Sequence, residues 1–317
     1  MNYVIRRILM LLLTMLIVSF LTFLAFELVS GDVAQTKLGT EGTPEQVAAL
    51  RHELGLDQPF LLRYGQWLGG FFTGNLGVSY YNPQPMWELI GPKLVVTLIL
   101  AAISFLLITL ISIPLGLLSY RLAGSPLDGL RTAFNQLCMA VPPFFIGILF
   151  SWFFGITLKL FIPEGFPSSI RANPGEAMTQ LFFAAVCLSI PRIAMTVRMM
   201  RSTVIGEMQK AYVRTAISRG NDRRGVLLRH VLKNSLTGTV TFLAQTLAEL
   251  IGGSIVVEQV FGIPGLGRFL VAEIRALDYP VVQTIVVILA FWVVLAGTVA
   301  DLINQRIDPR LRLGGAK

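Results

Sequence analysis

Charge is scarce in this sequence. Only 14% of its 317 residues are Asp, Glu, Lys or Arg, and 54% are apolar. A soluble domain carries about 25% charged residues, so an ordinary soluble globule is excluded and a membrane-crossing chain is expected. The apolar runs are continuous and longer than the roughly ten-residue alternating strands of a membrane β-barrel. Only helices remain as spanning elements. Cysteine is nearly missing too: Cys138 and Cys187 each sit inside an apolar run. They read as buried thiols, and neither a disulfide framework nor a metal motif fits their spacing. The two histidines, His52 and His230, are too far apart in sequence to read as a paired metal site. There is no G-x-x-x-x-G-K-[ST] phosphate loop and no H-E-x-x-H. The paired intramembrane Asp, or Ser with His, of an intramembrane protease is also missing. No catalytic group, metal or cofactor is expected in this chain.

What is there is a series of six apolar runs. Arg6-Arg7 precede Ile8–Phe26, which is too long for the core of a signal peptide and reads as an uncleaved first span. The others lie within Leu94–Tyr120, Thr132–Leu158 (with a bend expected at Pro142-Pro143), about Ala177–Pro191, Leu236–Val257 and Val281–Val299. Lys and Arg concentrate in alternate connections, which places both termini on the cytoplasmic side. The net charge of +8 is therefore assigned to topology and not to nucleic acid. Four parts are expected: residues 1–30, a tail and first helix; 31–92, a small external lobe; 93–304, a five-helix core; and 305–317, a cytoplasmic tail. In the lobe, Thr43-Pro44-Glu45-Gln46 starts a short helix that Gly55 ends. Trp67, Phe71, Phe72, Tyr80, Tyr81 and Trp87 suit a membrane–water boundary. Asp32 and Glu41 contribute to the lobe's acidic excess.

One stretch breaks the apolar pattern. Arg198–Lys233 carries nine Lys or Arg residues opposed by Glu207 and Asp222. Apolar residues recur in it as on two short helices, Val213, Ala216 and Ile217 before Gly220, and Val226, Leu227, Val231 and Leu232 after it. Gly220-Asn221-Asp222 is a turn signal. A flexible linker would lack this periodicity. Two readings stand: a shaped dock for a partner protein, or a basic loop on anionic lipid. Glu249 falls inside an apolar run and Arg192 directly follows one, where charge is costly. Glu249 either lines a polar passage or is a buried carboxyl that packs helices. Arg192, after Pro191, either faces a cavity or snorkels toward the inner face.

The run Ala211–Gly220, AYVRTAISRG, followed by RRGVLLRHVLKNSL, resembles the cytoplasmic loop of inner-membrane permeases of binding-protein-dependent ABC importers, in the dipeptide/oligopeptide/nickel branch. Gly220 takes the place of that loop's glycine, and Arg214-Thr215-Ala216 stands where Glu-Ala-Ala is usual. Gly238 stands near a proline of the branch. Leu54–Pro59, Gly74–Ser79, Val257–Phe261 with Pro264–Arg268, Asp278–Gln283 and Asp308-Pro309-Arg310 are similar to other segments of the branch, as is the N-terminal helix. The resemblance implies a bacterial inner-membrane permease that pairs with a sister permease. Two ATPase subunits, which carry the ATP and Mg, would dock on the loop at 201–236, and an extracytoplasmic solute-binding protein would deliver substrate. It implies docking roles for Val213, Arg214, Thr215, Ala216, Ile217, Gly220 and Arg223, with the apolar three filling a groove on the ATPase and the arginines at its rim. Glu249 and Arg192 are candidates for the translocation path. The expected cargo is a peptide or a nickel-type complex; free nickel would prefer imidazole, which the spans lack. The alternative is a membrane scaffold whose basic loop binds anionic lipid and transports nothing.

Overall fold

In the computed structural model, residues 3–29, 33–38, 43–82 and 84–307 are described. They are helical almost throughout, and their one β contact is an isolated bridge between Val78 and Pro85. The helices in chain order are α1 (Tyr3–Val29), α2 (Val33–Leu38), α3 (Pro44–Glu53), α4 (Phe60–Thr73), α5 (Met86–Arg121), α6 (Leu127–Ala140), α7 (Pro143–Phe150), α8 (Pro174–Met208), α9 (Ala211–Ser218), α10 (Arg223–Val226), α11 (Leu232–Phe261), α12 (Leu266–Ala276) and α13 (Tyr279–Ile307). π-helical stretches, Ser151–Thr157 and Leu227–Val231, continue α7 and join α10 to α11. Asp308-Pro309-Arg310, Asp32, Glu41 and nearly all of the 305–317 tail lie outside the described residues.

Five stretches are long and apolar enough to cross a membrane: Ile5–Leu28, Met86–Arg121, Pro174–Met208, Arg223–Phe261 and Tyr279–Ile303. A sixth exists if Leu127–Ala140 and Pro143–Thr157 count as one broken span, bent by 94°. The break falls at Pro142-Pro143, as the sequence predicts. Proline removes a helix donor and disfavours helical backbone in the residue before it. Val141 accordingly turns extended, at φ −78° and ψ 123°.

Three boundaries differ from the sequence reading. The fourth helix does not stop near Pro191: α8 carries that proline inside it and runs on through Arg192, Arg198 and Arg201 to Met208. The second half of the basic stretch is no separate short helix but the beginning of the long apolar helix Arg223–Phe261. That helix also extends past Val257, so Glu258 is helical and fully buried, where a loop residue is expected.

The contacts divide the chain into two compact units, Met1–Val95 with Arg268–Trp292, and Val96–Gly267 with Val293–Lys317. In the first, α4 lies on α1 through a cluster of edge-on rings, Phe20, Phe23, Phe60 and Tyr64. Arg63 of α4 pairs with Glu27 of α1. α3 begins on a capping box: Thr43 Oγ1 accepts from the Gln46 amide at 3.3 Å, and the Thr43 amide donates to Gln46 Oε1 at 3.0 Å. In the second unit, α8 and α11 pack against each other along their length, with α6 and α7 also on α8. Small residues permit that approach: a Cβ at Gly238 would meet Thr203 at 3.2 Å, and one at Gly253 would meet Leu188 at 3.4 Å.

Candidate functional site

The connection between α8 and α11 is built as a short helix closed by a glycine turn. α9 ends with Gly220 at φ +86°, where the Gly220 amide donates to Ile217 O at 2.9 Å and the Asn221 amide to Ala216 O at 3.3 Å. This is the left-handed closure that glycine supplies at least cost. Two residues later Asp222 caps α10, accepting from the Gly225 amide at 3.2 Å. The turn at Gly220-Asn221-Asp222 is thus a C-terminal cap followed at once by an N-terminal one. Tyr212 ties the loop to both flanking helices. Its hydroxyl donates to Glu207 Oε2 at 2.8 Å and accepts from Asn234 Nδ2 at 3.2 Å. Burial, and then the Glu207 carboxylate, hold that phenol above its ordinary range.

The face that α9 offers outward differs from the one its periodicity suggests. Val213 is 1% exposed and packs in the chain's own core with Met200, Val204, Val226, Leu227 and Val231. Ala216 packs on the same cluster. These two anchor α9 to the chain, so Val213 cannot enter a groove on another protein. Ile217 remains exposed, together with Arg214, Thr215, Ser218, Arg219, Gly220 and Arg223. The outward face is basic and polar around one isoleucine. Arg201, by contrast, is committed inside the chain: it donates to Asp128 Oδ2 at 2.7 Å, and Asp128 also receives Arg131.

The two intramembrane charges, 57 residues apart, meet. Arg192 of α8 pairs with Glu249 of α11 through Nη1 and Oε2, with side-chain exposures of 28% and 53%. Glu249 is therefore not a buried packing carboxyl, and Arg192 does not reach for the interface. Arg192 sits near the middle of the 35-residue α8, and a carboxylate on the neighbouring helix is its partner. Contrary to the sequence reading that the spans lack imidazole, His230 lies within the apolar Arg223–Phe261 helix, which starts earlier than expected; His52 lies in α3, outside the spans.

Comparison with known proteins decides the class. The model of the binding-protein-dependent transport system inner membrane component matches residues 112–313, and that of the N-terminal part of such membrane components matches residues 1–101. The chain belongs to this family. The permease is 37% identical over 298 residues to a Brucella abortus protein whose name makes it the permease of a peptide transport system, covering 94% of this chain and 95% of that one. It is 31% identical to the dipeptide transport system permease protein of Lactococcus lactis, with 98% and 99% of the two chains covered. It is 29% identical to the nickel import system permease protein of Staphylococcus aureus, with 98% and 92% covered. Its fold matches a chain from the inward-facing MetNI methionine ABC transporter with a TM-score of 0.58 at 19% identity, over 71% of this chain and 99% of that one.

Two polar centres of the permease were invisible as sites in its sequence, although both lie in segments that carry the resemblance. In the first unit, Asp278 is fully buried at the head of α13. It accepts from the Ser79 hydroxyl, and from the Tyr80 amide at 3.2 Å. Ser79 Oγ in turn accepts from the amides of Tyr81 at 3.1 Å and Asn82 at 2.9 Å. Two motif segments nearly 200 residues apart are pinned by this contact. Burial pushes the neighbouring Tyr80 phenol up to about 12. In the second unit, Glu258 is fully buried and accepts from Thr97 Oγ1 at 2.7 Å and Ser254 Oγ at 3.0 Å. Thr97 Oγ1 also receives the Leu266 amide at 2.8 Å. A Cβ at Gly265 would stand 2.4 Å from Glu258 Cδ, so the carboxyl occupies the room that glycine leaves. A sequence signal did exist: Glu258 and Gly265–Gly267 lie at fixed spacing in a quoted motif.

Proposed function

We propose that this permease is one of a pair of related subunits forming the path of an importer for peptides, driven by ATPase subunits that dock on the 201–236 loop. The observation that carries the reading is the loop's geometry: an outward helix face, capped at both ends of its turn and held rigid from behind by Val213 and Ala216. Docking surfaces need such preorganised elements, with a central apolar anchor and a polar rim. Ile217 is the anchor, and Arg214, Thr215, Arg219 and Arg223 form the rim around the Gly220 turn. ATP and Mg belong to the ATPase partners, and this chain hydrolyses nothing. The loop and both termini lie on the cytoplasmic side, where the basic residues gather. The segment 31–92 lies on the opposite side, toward an extracytoplasmic solute-binding protein. Arg192 and Glu249 belong to the path. The relatives named for peptide and for nickel transport support the substrate range of peptides or chelated metal.

Affinity purification of the tagged permease from its own membranes tests this. A complex with an ATPase and a second permease is expected, whereas purification of the chain alone with anionic lipid supports a scaffold. Ile217→Asp, Ala216→Asp and Gly220→Pro are each expected to abolish peptide uptake with the chain still in the membrane. Ile217→Asp is the cleanest of the three, since the side chain is exposed. Normal uptake and normal ATPase retention in that variant would refute docking at α9.

A further inference from the structure

The face of α11 around Glu249 is not built for lipid. Thr241, Gln245, Glu249, Gly252 and Val256 recur at helical spacing and share one side of the helix. Gln245, Glu249, Gly252 and Val256 are exposed, and a Cβ added to Gly252 would meet nothing within 4 Å. Glu249 lies twelve residues before the end of α11, about 18 Å along the axis at 1.5 Å per residue. A half-exposed carboxylate at that depth is costly against hydrocarbon. Such a face suits a polar passage better than hydrocarbon, and Gly252 leaves room beside the carboxylate. Arg192 reaches the same place from α8.

An empty Arg–carboxylate pair satisfies itself. Opening it leaves two opposite charges exposed, and a solute with one charge satisfies only half of them. A free metal cation would be drawn to Glu249 and repelled by Arg192. A solute with an ammonium at one end and a carboxylate at the other satisfies both. The two charged groups touch when the pair is closed, so both long side chains must swing apart before a short peptide, whose two extended residues span at most about 7 Å, can stand between them. Resting on the permease reading above, we propose that Arg192 and Glu249 form a subsite for the two free termini of a short peptide. The ion pair parts as the peptide passes. Glu249 then holds its ammonium group and Arg192 holds its carboxylate, and the pair closes behind it.

The test uses the intact transporter complex purified in detergent without its solute-binding protein, so that only the membrane site is read. Titration calorimetry at millimolar peptide compares dialanine, N-acetyl-dialanine and dialanine amide. The wild-type complex is expected to bind dialanine about ten-fold more tightly than either blocked form, as loss of one partner of a charge pair predicts. Glu249→Gln should erase the preference over the N-acetyl form and keep the preference over the amide. Arg192→Gln should do the reverse. Glu249→Asp and Arg192→Lys keep both charges and should bind dialanine within a few-fold of wild type, which guards against a mere folding defect. A pair that only holds α8 to α11 would leave the order of the three peptides unchanged in every variant. That result, or no dialanine binding to the wild-type complex, overturns the subsite. Loss of dialanine uptake in cells deleted for this chain tests the permease reading separately, and uptake lost alongside unselective binding removes the subsite alone.

Discussion

Replacing Ser79 by Ala should open the contact between Gly74–Ser79 and the head of α13. The hydroxyl makes three hydrogen bonds, donating to Asp278 and accepting from the amides of Tyr81 and Asn82. They are not equal. Tyr81 is exposed and Asn82 half-buried, so water can replace the lost acceptor, and the two together are worth about 1 kcal/mol. Asp278 is fully buried, no water reaches it, and a hydrogen bond to a charged group contributes about 1.5–3 kcal/mol. The sum is about 3 kcal/mol, or roughly a hundred-fold in the equilibrium for local opening. Hydrogen–deuterium exchange in detergent reads this at amides that do not bond Ser79 themselves. Suitable ones are Met86, which donates to Gly77 O, and Val282, which donates to Asp278 O. Both should exchange roughly a hundred-fold faster in the variant. Asp278→Asn keeps the shape, and an acceptor for Tyr80, so it should cost only about 1 kcal/mol. The double variant should cost less than the sum of the singles, because the two share one bond. Exchange at both reporters within about three-fold of wild type would refute the claim that the Ser79–Asp278 hydrogen bond pins the two segments.

Glu273 provides a pH test. Burial first, and then the Asp278 charge, raise its carboxyl above the ordinary range, with Lys93 acting in the opposite sense. An acid raised in the folded state favours folding when protonated. Its contribution is complete below the unfolded value of about 4.3 and is lost as pH rises from there through the raised folded value. Thermal stability in detergent should fall across that window, and Glu273→Gln should flatten the fall. Gly265→Ala puts a methyl where the Glu258 carboxyl lies and should cost about 1–3 kcal/mol by overpacking. Adding Glu258→Ala should make that cost less than additive in the same melts. Gly220→Ala meets no neighbour but keeps φ at +86°, so it should cost only about 1 kcal/mol and retain most uptake, in contrast to Gly220→Pro.

Local chemistry was legible in the sequence and distant chemistry was not. The Thr43 box, the Gly55 and Gly220 stops and the Pro142-Pro143 break rest on neighbours within a few residues, and all stand where the residues put them. The extent of α8 did not read out, because Arg192 and Arg198 end a lipid-facing stretch without ending a helix. Bilayer thickness limits the span and not the rod. Val213 was assigned to an outward surface because periodicity finds an apolar face without saying what covers it. Glu249 and Arg192 stood out as costly charges, but their pairing depends on the register of α8 against α11, which neither segment contains alone. Asp278 and Glu258 looked like ordinary loop acids for the same reason: the hydroxyls that donate to them, on Ser79 and Thr97, are more than 150 residues away.

The helix from Arg223 to Phe261 is continuous over 39 residues, a rod of about 58 Å. One end begins at the capped turn after α9, and the other carries the buried Glu258. No loop interrupts it, although its first turns pass through the π-helical stretch Leu227–Val231. Swinging such a rod by ten degrees about its Arg223 end carries Phe261 about 10 Å sideways, by the length alone. Any tilt of this helix is therefore shared along its length: Glu249, part-way along, moves by an intermediate amount, and the largest displacement falls at the end that carries Glu258.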